Sequence, residues 1–252
     1  MNACHRAQAI VALTANRVTV GARHQVSQVR RVGVGALSAL AHGLPVGDRW
    51  PSRHTVRVVD SFHPRRSGTT AGVVLAAGFG SRYQGDTHKL LAPFRGKPLV
   101  TWALNAALDA GFGDVYCISG AVDLSDVVPD GVVLVENHNY ADGQATSLRT
   151  AVAVCEADGH DALVVGLGDM PLVPSSAWAA LREAEGTLVT ATFSGRRSPP
   201  VKIDQELWSL LPLSGDEGAR AMIRLRPDLV TEIACEGELI DIDTRGDLSR
   251  WS

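Results

Sequence analysis

The stretch Gly72-Val-Val-Leu-Ala-Ala-Gly-Phe-Gly-Ser-Arg82 decides the fold. Its first six residues, Gly72 to Ala77, make a short unbroken apolar run, the pattern of a strand buried on both faces of a parallel sheet. Working outward, an apolar-periodic helix is expected over 97–109, opened by Lys97-Pro98 with Pro98 in its first turn and Gly111 near its stop. Strands are expected over 114–119, 132–136 and 162–166, with a helix over 146–156 between the last two. A helix over 175–184, a strand over 187–193, a helix over 216–225 and a strand over 230–234 complete the alternation. Strands alternating with helices in this way build a single α/β, doubly wound, Rossmann-like domain with a mostly parallel sheet, here residues 71–252.

In open α/β sheets ligands gather at the carboxyl ends of strands, which directs attention to the loops after the first, third and fourth strands. The first loop reads Gly78-Phe-Gly80-Ser-Arg82-Tyr-Gln-Gly85-Asp-Thr-His-Lys89. Glycines permit positive φ and close backbone approach, so successive N–H groups can converge on phosphate oxygens while Arg82 and Lys89 neutralise their charge. A dinucleotide fingerprint would need glycine or alanine where Tyr83 stands, and a Walker loop fails because Gly96-Lys97 is followed by Pro98 and preceded by Leu91 at the glycine position. The loop is suited to a triphosphate.

The 252 residues are 45% apolar and 5% aromatic, an ordinary globular balance, and the longest apolar run is about half of the roughly 20 residues a membrane helix requires. No membrane role is expected. Cys4, Cys117, Cys155 and Cys235 are far apart with no C-x-x-C pair, which fits a reducing, cytoplasmic location and neither a disulfide framework nor a zinc site. The net charge of -3 hides two unlike halves. Residues 1–70 hold ten arginines, no lysine or glutamate, and only Asp48 and Asp60, a balance near +8, which leaves 71–252 at -11. That basic extension lacks the period of 2 or 3.6 that would bury one face, so little structure is expected in it. An organellar presequence, a nucleic-acid-binding arm and sequence translated upstream of the true start all compete as its explanation. Its arginines are scattered and only Trp50 and Phe62 lie among them, too few for a stacking surface, which argues against nucleic acid and favours the last.

Five ordered motifs now carry a resemblance. Leu75-Ala-Ala-Gly-Phe-Gly-Ser-Arg82 with Lys89-Leu-Leu-Ala and Gly96-Lys-Pro-Leu99, Asn137-His-Asn-Tyr140-Ala-Asp-Gly143-Gln-Ala-Thr-Ser147-Leu148, Leu167-Gly-Asp169-Met-Pro171-Leu172, Leu213-Ser-Gly215-Asp-Glu-Gly218-Ala-Arg220, and Asp241-Ile-Asp243-Thr244 together resemble the MobA-like nucleotidyltransferases of molybdenum cofactor maturation. The Ala76-Ala77-Gly78 version of the first motif is more similar to the cytidylyl-transferring branch than to the guanylyl-transferring one. The resemblance implies attack of the terminal phosphate of molybdenum-bound molybdopterin on the α-phosphorus of CTP, with loss of pyrophosphate and no covalent enzyme intermediate. It implies nucleotide binding by Ala76, Ala77, Gly78, Gly80, Ser81 and Ser147, catalytic charge from Arg82 and Lys89, and Mg²⁺ on Asp169 with Asp243 as a second carboxylate. Asn137, Gly143, Gly215 and Arg220 are implied on the substrate side, and a molybdenum hydroxylase or its chaperone as a partner.

Each of these residues also has a structural reading. Asp169 could cap a turn before Pro171, Asp243 could cap a helix over 245–250, and Ser147 could cap the helix it begins. Three departures from the family pattern bear on detail. The interval from Arg82 to Lys89 is two residues longer than usual, so the loop must bulge; Ser198-Pro199-Pro200-Val201 stands where the family often has Gly-His-Pro-Val; and Tyr140 replaces a tryptophan. The alternatives to cytidylyl transfer are guanylyl transfer or transfer to another phosphate substrate, an NAD(P)H-dependent oxidoreductase on the same fold, and a noncatalytic cofactor chaperone.

Overall fold

The computed structural model describes residues 30–33 and 69–252, beginning with two strands, β1 (Arg30–Gly33) and β2 (Thr70–Ala76). The chain continues through β3 (Pro93–Phe94), β4 (Lys97–Pro98), α1 (Leu99–Asp109), β5 (Val115–Ser119), β6 (Val132–Glu136), α2 (Gln144–Asp158), β7 (Ala162–Leu167), α3 (Ser175–Glu183), β8 (Leu188–Phe193), β9 (Arg196–Asp204), α4 (Ala219–Leu225), β10 (Val230–Ala234) and α5 (Arg245–Trp251). The expected alternation is present. β2 is buried from Ala71 to Ala76 and pairs in parallel with β5 on one side and β7 on the other. The full sheet runs β1-β6-β5-β2-β7-β9-β8-β10, and β9 alone among these strands is antiparallel to its neighbours.

Helices cover both faces, as a mostly parallel sheet requires. α1 and α3 bury Val100, Leu104, Trp178 and Leu181 on one face with Val74 and Val164, whereas α2 and α4 bury Leu148, Val154 and Met222 on the other with Val73 and Leu163. Alternate residues of β2 and β7 thus serve opposite cores, each apolar side chain contributing about 1.5–3 kcal/mol by leaving water. No helix among the described residues is long and apolar enough to cross a membrane.

Four local expectations change. Lys97 and Pro98 belong to β4, not to the first turn of α1, because Arg95 and Gly96 both adopt positive φ (46° and 82°) and close a tight hairpin that claims the following backbone. α4 starts at Ala219, three residues after the expected 216, because Gly218 at φ 50° interrupts the helical path. β9 was not expected: Pro199 and Pro200 offer no N–H to a ladder, and the β8–β9 register shifts opposite them, between Thr190 and Ala191. The third-strand edge gains β1, since Arg30–Gly33 pairs in parallel with β6 although residues 1–70 were expected to hold little structure. The rest of that expectation lies outside the described residues.

β1 adds four residues at a sheet edge. A chain beginning at Ser67 is therefore expected to keep full turnover and to melt within about 4 °C of the parent, the scale of 1 kcal/mol in a domain this size. Failure of the shortened chain to fold, read by circular dichroism, would show that the extension completes the domain.

Candidate functional site

β2 leads to β5 and β6 on one side of the sheet while β7 lies on the other, so the loops leaving β2 and β7 part and open a crevice at the switch point. The cleft there has a volume of ≈ 440 Å³ and is walled by the loop after β2, the start of α2, and Asp169, Asp216 and Asp243. Of the residues singled out in the sequence, Ala76, Ala77, Gly78, Gly80, Ser81, Arg82, Lys89, Gly143, Ser147, Asp169 and Asp243 line it. Asn137, Gly215 and Arg220 lie outside that lining.

The loop after β2 is held at both ends. Gly80 sits at φ 62°, which glycine adopts without strain, and a Cβ there would crowd Lys89 Cγ at 3.0 Å, so glycine favours the close approach of the loop to the lysine. The extra residues between Arg82 and Lys89 form a bulge in which the Tyr83 ring packs on Gly85. His88, a residue the sequence reading passed over, closes the loop: its Nδ1 accepts from Leu90 N–H, which leaves the ring proton on Nε2 to donate to the Gly78 carbonyl at 3.0 Å. Burial lowers the His88 pKa despite that carbonyl, so the clamp is neutral. A lone histidine beside a lysine carries no spacing signal by which it could have been found.

Lys89 opens a single 3-10 turn and points inward, its side chain 9% exposed. Its ammonium donates to Asp169 Oδ2 at 2.6 Å and to Asp243 Oδ1 at 3.1 Å, and Arg82 reaches Asp243 Oδ2 at 2.7 Å from a largely exposed position. Burial alone would lower the Lys89 pKa, yet attraction to Asp169 and Asp243 outweighs it and the net shift is upward. Asp169 follows β7; its Oδ1 is buried with no hydrogen-bond partner among the described residues, and its main-chain carbonyl accepts from Ile242 N–H at 3.0 Å. That bond, with Ile242 fully buried against Phe94 and Leu99, carries the last segment across the crevice.

Asp243 does not cap α5. Thr244 does, in a reciprocal box with Asp247, which leaves the Asp243 carboxylate to the cleft. Asp241, not singled out from the sequence, joins it: single ligand atoms of Asp169, Asp241 and Asp243 lie within 4.8 Å of one another. The alternation Asp241-Ile-Asp243 was the available signal, because residues two apart in extended chain share a face. Partial desolvation of this otherwise exposed residue, then the negative charge of Asp169 and Asp243, pushes the Asp241 pKa up to about 6.

The third wall is the start of α2. Asn137 Nδ2 donates to Thr146 Oγ1 at 2.9 Å and Ser147 Oγ at 3.0 Å, while its Oδ1 accepts from Asn139 N–H, so the buried amide ties the end of β6 to the helix behind the cleft. Ser147 stands inside the first turn instead of capping it. Gly143, at φ 101°, is required by a close crossing: a Cβ there would meet the Gly215 carbonyl oxygen at 2.6 Å. Gly215 in turn accepts from Ala145 N–H at 2.8 Å and donates to the Asp142 carbonyl at 3.2 Å, which seats Asp216 at the rim. Arg220 is exposed on α4.

Comparison with known proteins agrees with this geometry. The sequence profile described as the MobA-like NTP transferase domain matches residues 72–231. Nicotine blue oxidoreductase of Paenarthrobacter nicotinovorans is 31% identical over 191 residues, covering 69% of this chain and 91% of that protein. The bifunctional protein GlmU of Geotalea uraniireducens is 29% identical over 136 residues, and the matched part is 29% of that longer protein. Rv0371c of Mycobacterium tuberculosis H37Rv superposes with a TM-score of 0.64 at 27% identity over 74% of this chain and 98% of its own. The same protein solved in complex with manganese gives a TM-score of 0.60 at 26% identity, over 73% of this chain and 97% of its own. With the profile spanning the loop after β2, the turn after β7 that carries Asp169 and the start of α2, the chain belongs to the MobA-like NTP transferase domain family of nucleotidyltransferases.

Proposed function

We propose that this chain transfers CMP from CTP to the terminal phosphate of molybdenum-bound molybdopterin in the cytoplasm, releasing pyrophosphate and using Mg²⁺. The observation that carries the reading is the meeting, in one crevice, of a glycine-rich loop bearing Arg82 and Lys89 with the carboxylates of Asp169 and Asp243, beside which Asp241 stands. The choice of CTP rests on Ala76-Ala77-Gly78. The dinucleotide product would pass to a molybdenum hydroxylase or its chaperone.

The residues present fit a divalent ion. Asp169 Oδ1 is buried and unpartnered among the described residues, and a carboxyl that resists ionisation beside two others is what a hard, oxygen-seeking cation relieves. When bound, such an ion supplies neutralising charge to triphosphate oxygens. The chain's own groups do the rest. The backbone from Gly78 to Ser81 holds phosphate oxygens, and Arg82 and Lys89 stabilise charge that develops on the departing pyrophosphate. An acceptor phosphate oxygen attacks the α-phosphorus in line, the bond to the pyrophosphate oxygen breaks, and no bond to the protein forms. Gly143 and the Ser147 side of the cleft leave room for the acceptor, with Asn137 and Gly215 fixing that wall from behind.

Pyrophosphate release with molybdenum cofactor, Mg²⁺ and each of four nucleoside triphosphates tests the reading. Release with CTP is expected to exceed that with GTP by at least about tenfold. Equal rates, or a preference for GTP, would sink the cytidylyl assignment and spare the fold. A second reading, reduction of a pigment by NAD(P)H, draws on the 31% identity to nicotine blue oxidoreductase. Tyr83 in the fingerprint position opposes it, and oxidation of the nicotinamide followed by absorbance decides it.

A further inference from the structure

The mouth of the cleft carries a feature that phosphate chemistry does not use. Phe79 lies between the two glycines of the phosphate loop, yet the residue is 57% exposed and lines the cleft. It meets Tyr140 from the loop after β6, edge to face, with ring centroids 5.0 Å apart and planes at 61°. The pairing is supported from behind: a Cβ on Gly120 would lie 2.7 Å from Tyr140 Cβ and 2.9 Å from Ala77 Cβ, so only glycine there lets the tyrosine press against the phosphate loop. Triphosphate oxygens are served by backbone N–H groups and by Arg82 and Lys89, and gain nothing from an exposed phenyl ring. Asp216 adds an opposite demand. It lines the same cleft, seated by the Gly143–Gly215 crossing three residues beyond Tyr140, and an ionised carboxylate only accepts hydrogen bonds and repels phosphate.

We propose that Phe79 and Tyr140 are a stacking platform for a planar nitrogen heterocycle whose N–H edge is read by Asp216, so that the site selects a flat heteroaromatic ring over a sugar. The inference rests on the reading of this cleft as a nucleotidyl-transfer site and deepens it. The ring comes either from the nucleobase or from the acceptor, and the two sources are separated by measurement.

Calorimetric titration of the full chain with CTP, pterin, glucose 1-phosphate and pyrophosphate provides the test. Phe79→Ser is expected to weaken CTP or pterin by about 5- to 100-fold, the range of one base–aromatic stack, and to leave glucose 1-phosphate and pyrophosphate within about twofold. Loss confined to CTP assigns the platform to the nucleobase, and loss confined to pterin assigns it to the acceptor. Phe79→Trp, which restores a ring, is expected to recover binding, whereas Phe79→Leu, which keeps bulk and apolarity, is not. Asp216→Asn is expected to weaken the same ring-bearing ligand. Unchanged affinity for both CTP and pterin in Phe79→Ser, or recovery by Phe79→Leu, overturns the proposal. Equal weakening of pyrophosphate also overturns it, because the ring would then only be shaping the loop. Absence of pyrophosphate release from a protein that still shows ring-dependent binding counts against the transfer reading alone.

Discussion

Asp169→Asn is expected to lower turnover by at least about a hundredfold, the scale of losing a principal electrostatic stabiliser. The substitution keeps the shape of a side chain that leaves a buried strand and removes the charge that would draw a divalent ion. Apo stability should change little. Lys89 keeps Asp243 at 3.1 Å, and removing one of three clustered carboxylates relieves like-charge repulsion, so the metal-free melting temperature is expected to move by no more than about 4 °C. A turn-capping aspartate would behave differently, since asparagine caps nearly as well and both stability and turnover would survive. Near-normal Mg²⁺-dependent turnover in this variant rules out the proposed metal role.

Lys89→Met is the second large effect. Methionine preserves the buried apolar stem while deleting the ammonium, so charge is tested apart from packing. The kcat/KM for the nucleoside triphosphate is expected to fall by at least about a hundredfold if Lys89 has its proposed role at the departing pyrophosphate. In the absence of divalent ions the variant should also lose about 1–3 kcal/mol of stability. That is below the cost of breaking a fully buried pair, because the side chains of Asp169 and Asp243 stay 20% and 19% exposed. Added Mg²⁺ or Mn²⁺ is then expected to raise the melting temperature more in the variant than in the parent, because ammonium and divalent ion compete for the same carboxylate oxygens. A purely structural lysine would give a loss that metal does not restore, and thermal melts with and without the ion distinguish the two.

Much of this molecule was legible locally. The run from Gly72 to Ala77 identified the central strand because a residue buried on both faces of a sheet has no polar alternative, and the glycines that follow could be read as a phosphate loop because positive φ at Gly80 is a property of one residue. The motif around Asp169 was readable for the same reason: it ends a continuous apolar strand. Errors arose where a local signal pointed two ways. Lys97-Pro98 suits a helix start as well as a hairpin, and only the positive φ of Arg95 and Gly96 chose; Pro199 and Pro200 have no N–H to mark a strand, and only the register shift in β8 made room for them.

The sequence by itself determined the alternation of most strands and helices, the central buried strand, and the loop that would carry glycines and cations, because these depend on chemistry within a turn or two of chain. The tertiary structure decided which charges meet. Lys89 lies 80 residues from Asp169 and 154 from Asp243, and no local pattern encodes those distances. Their meeting depends on Ile242 being buried with Phe94 and Leu99 and on its N–H bonding to the Asp169 carbonyl. The same holds for Phe79 and Tyr140, which come from loops on two strands and touch because Gly120, on a third segment, lacks a side chain. Contacts of this kind are set by the packing of separate elements against a common sheet, where burial and steric fit act between residues that the chain keeps far apart.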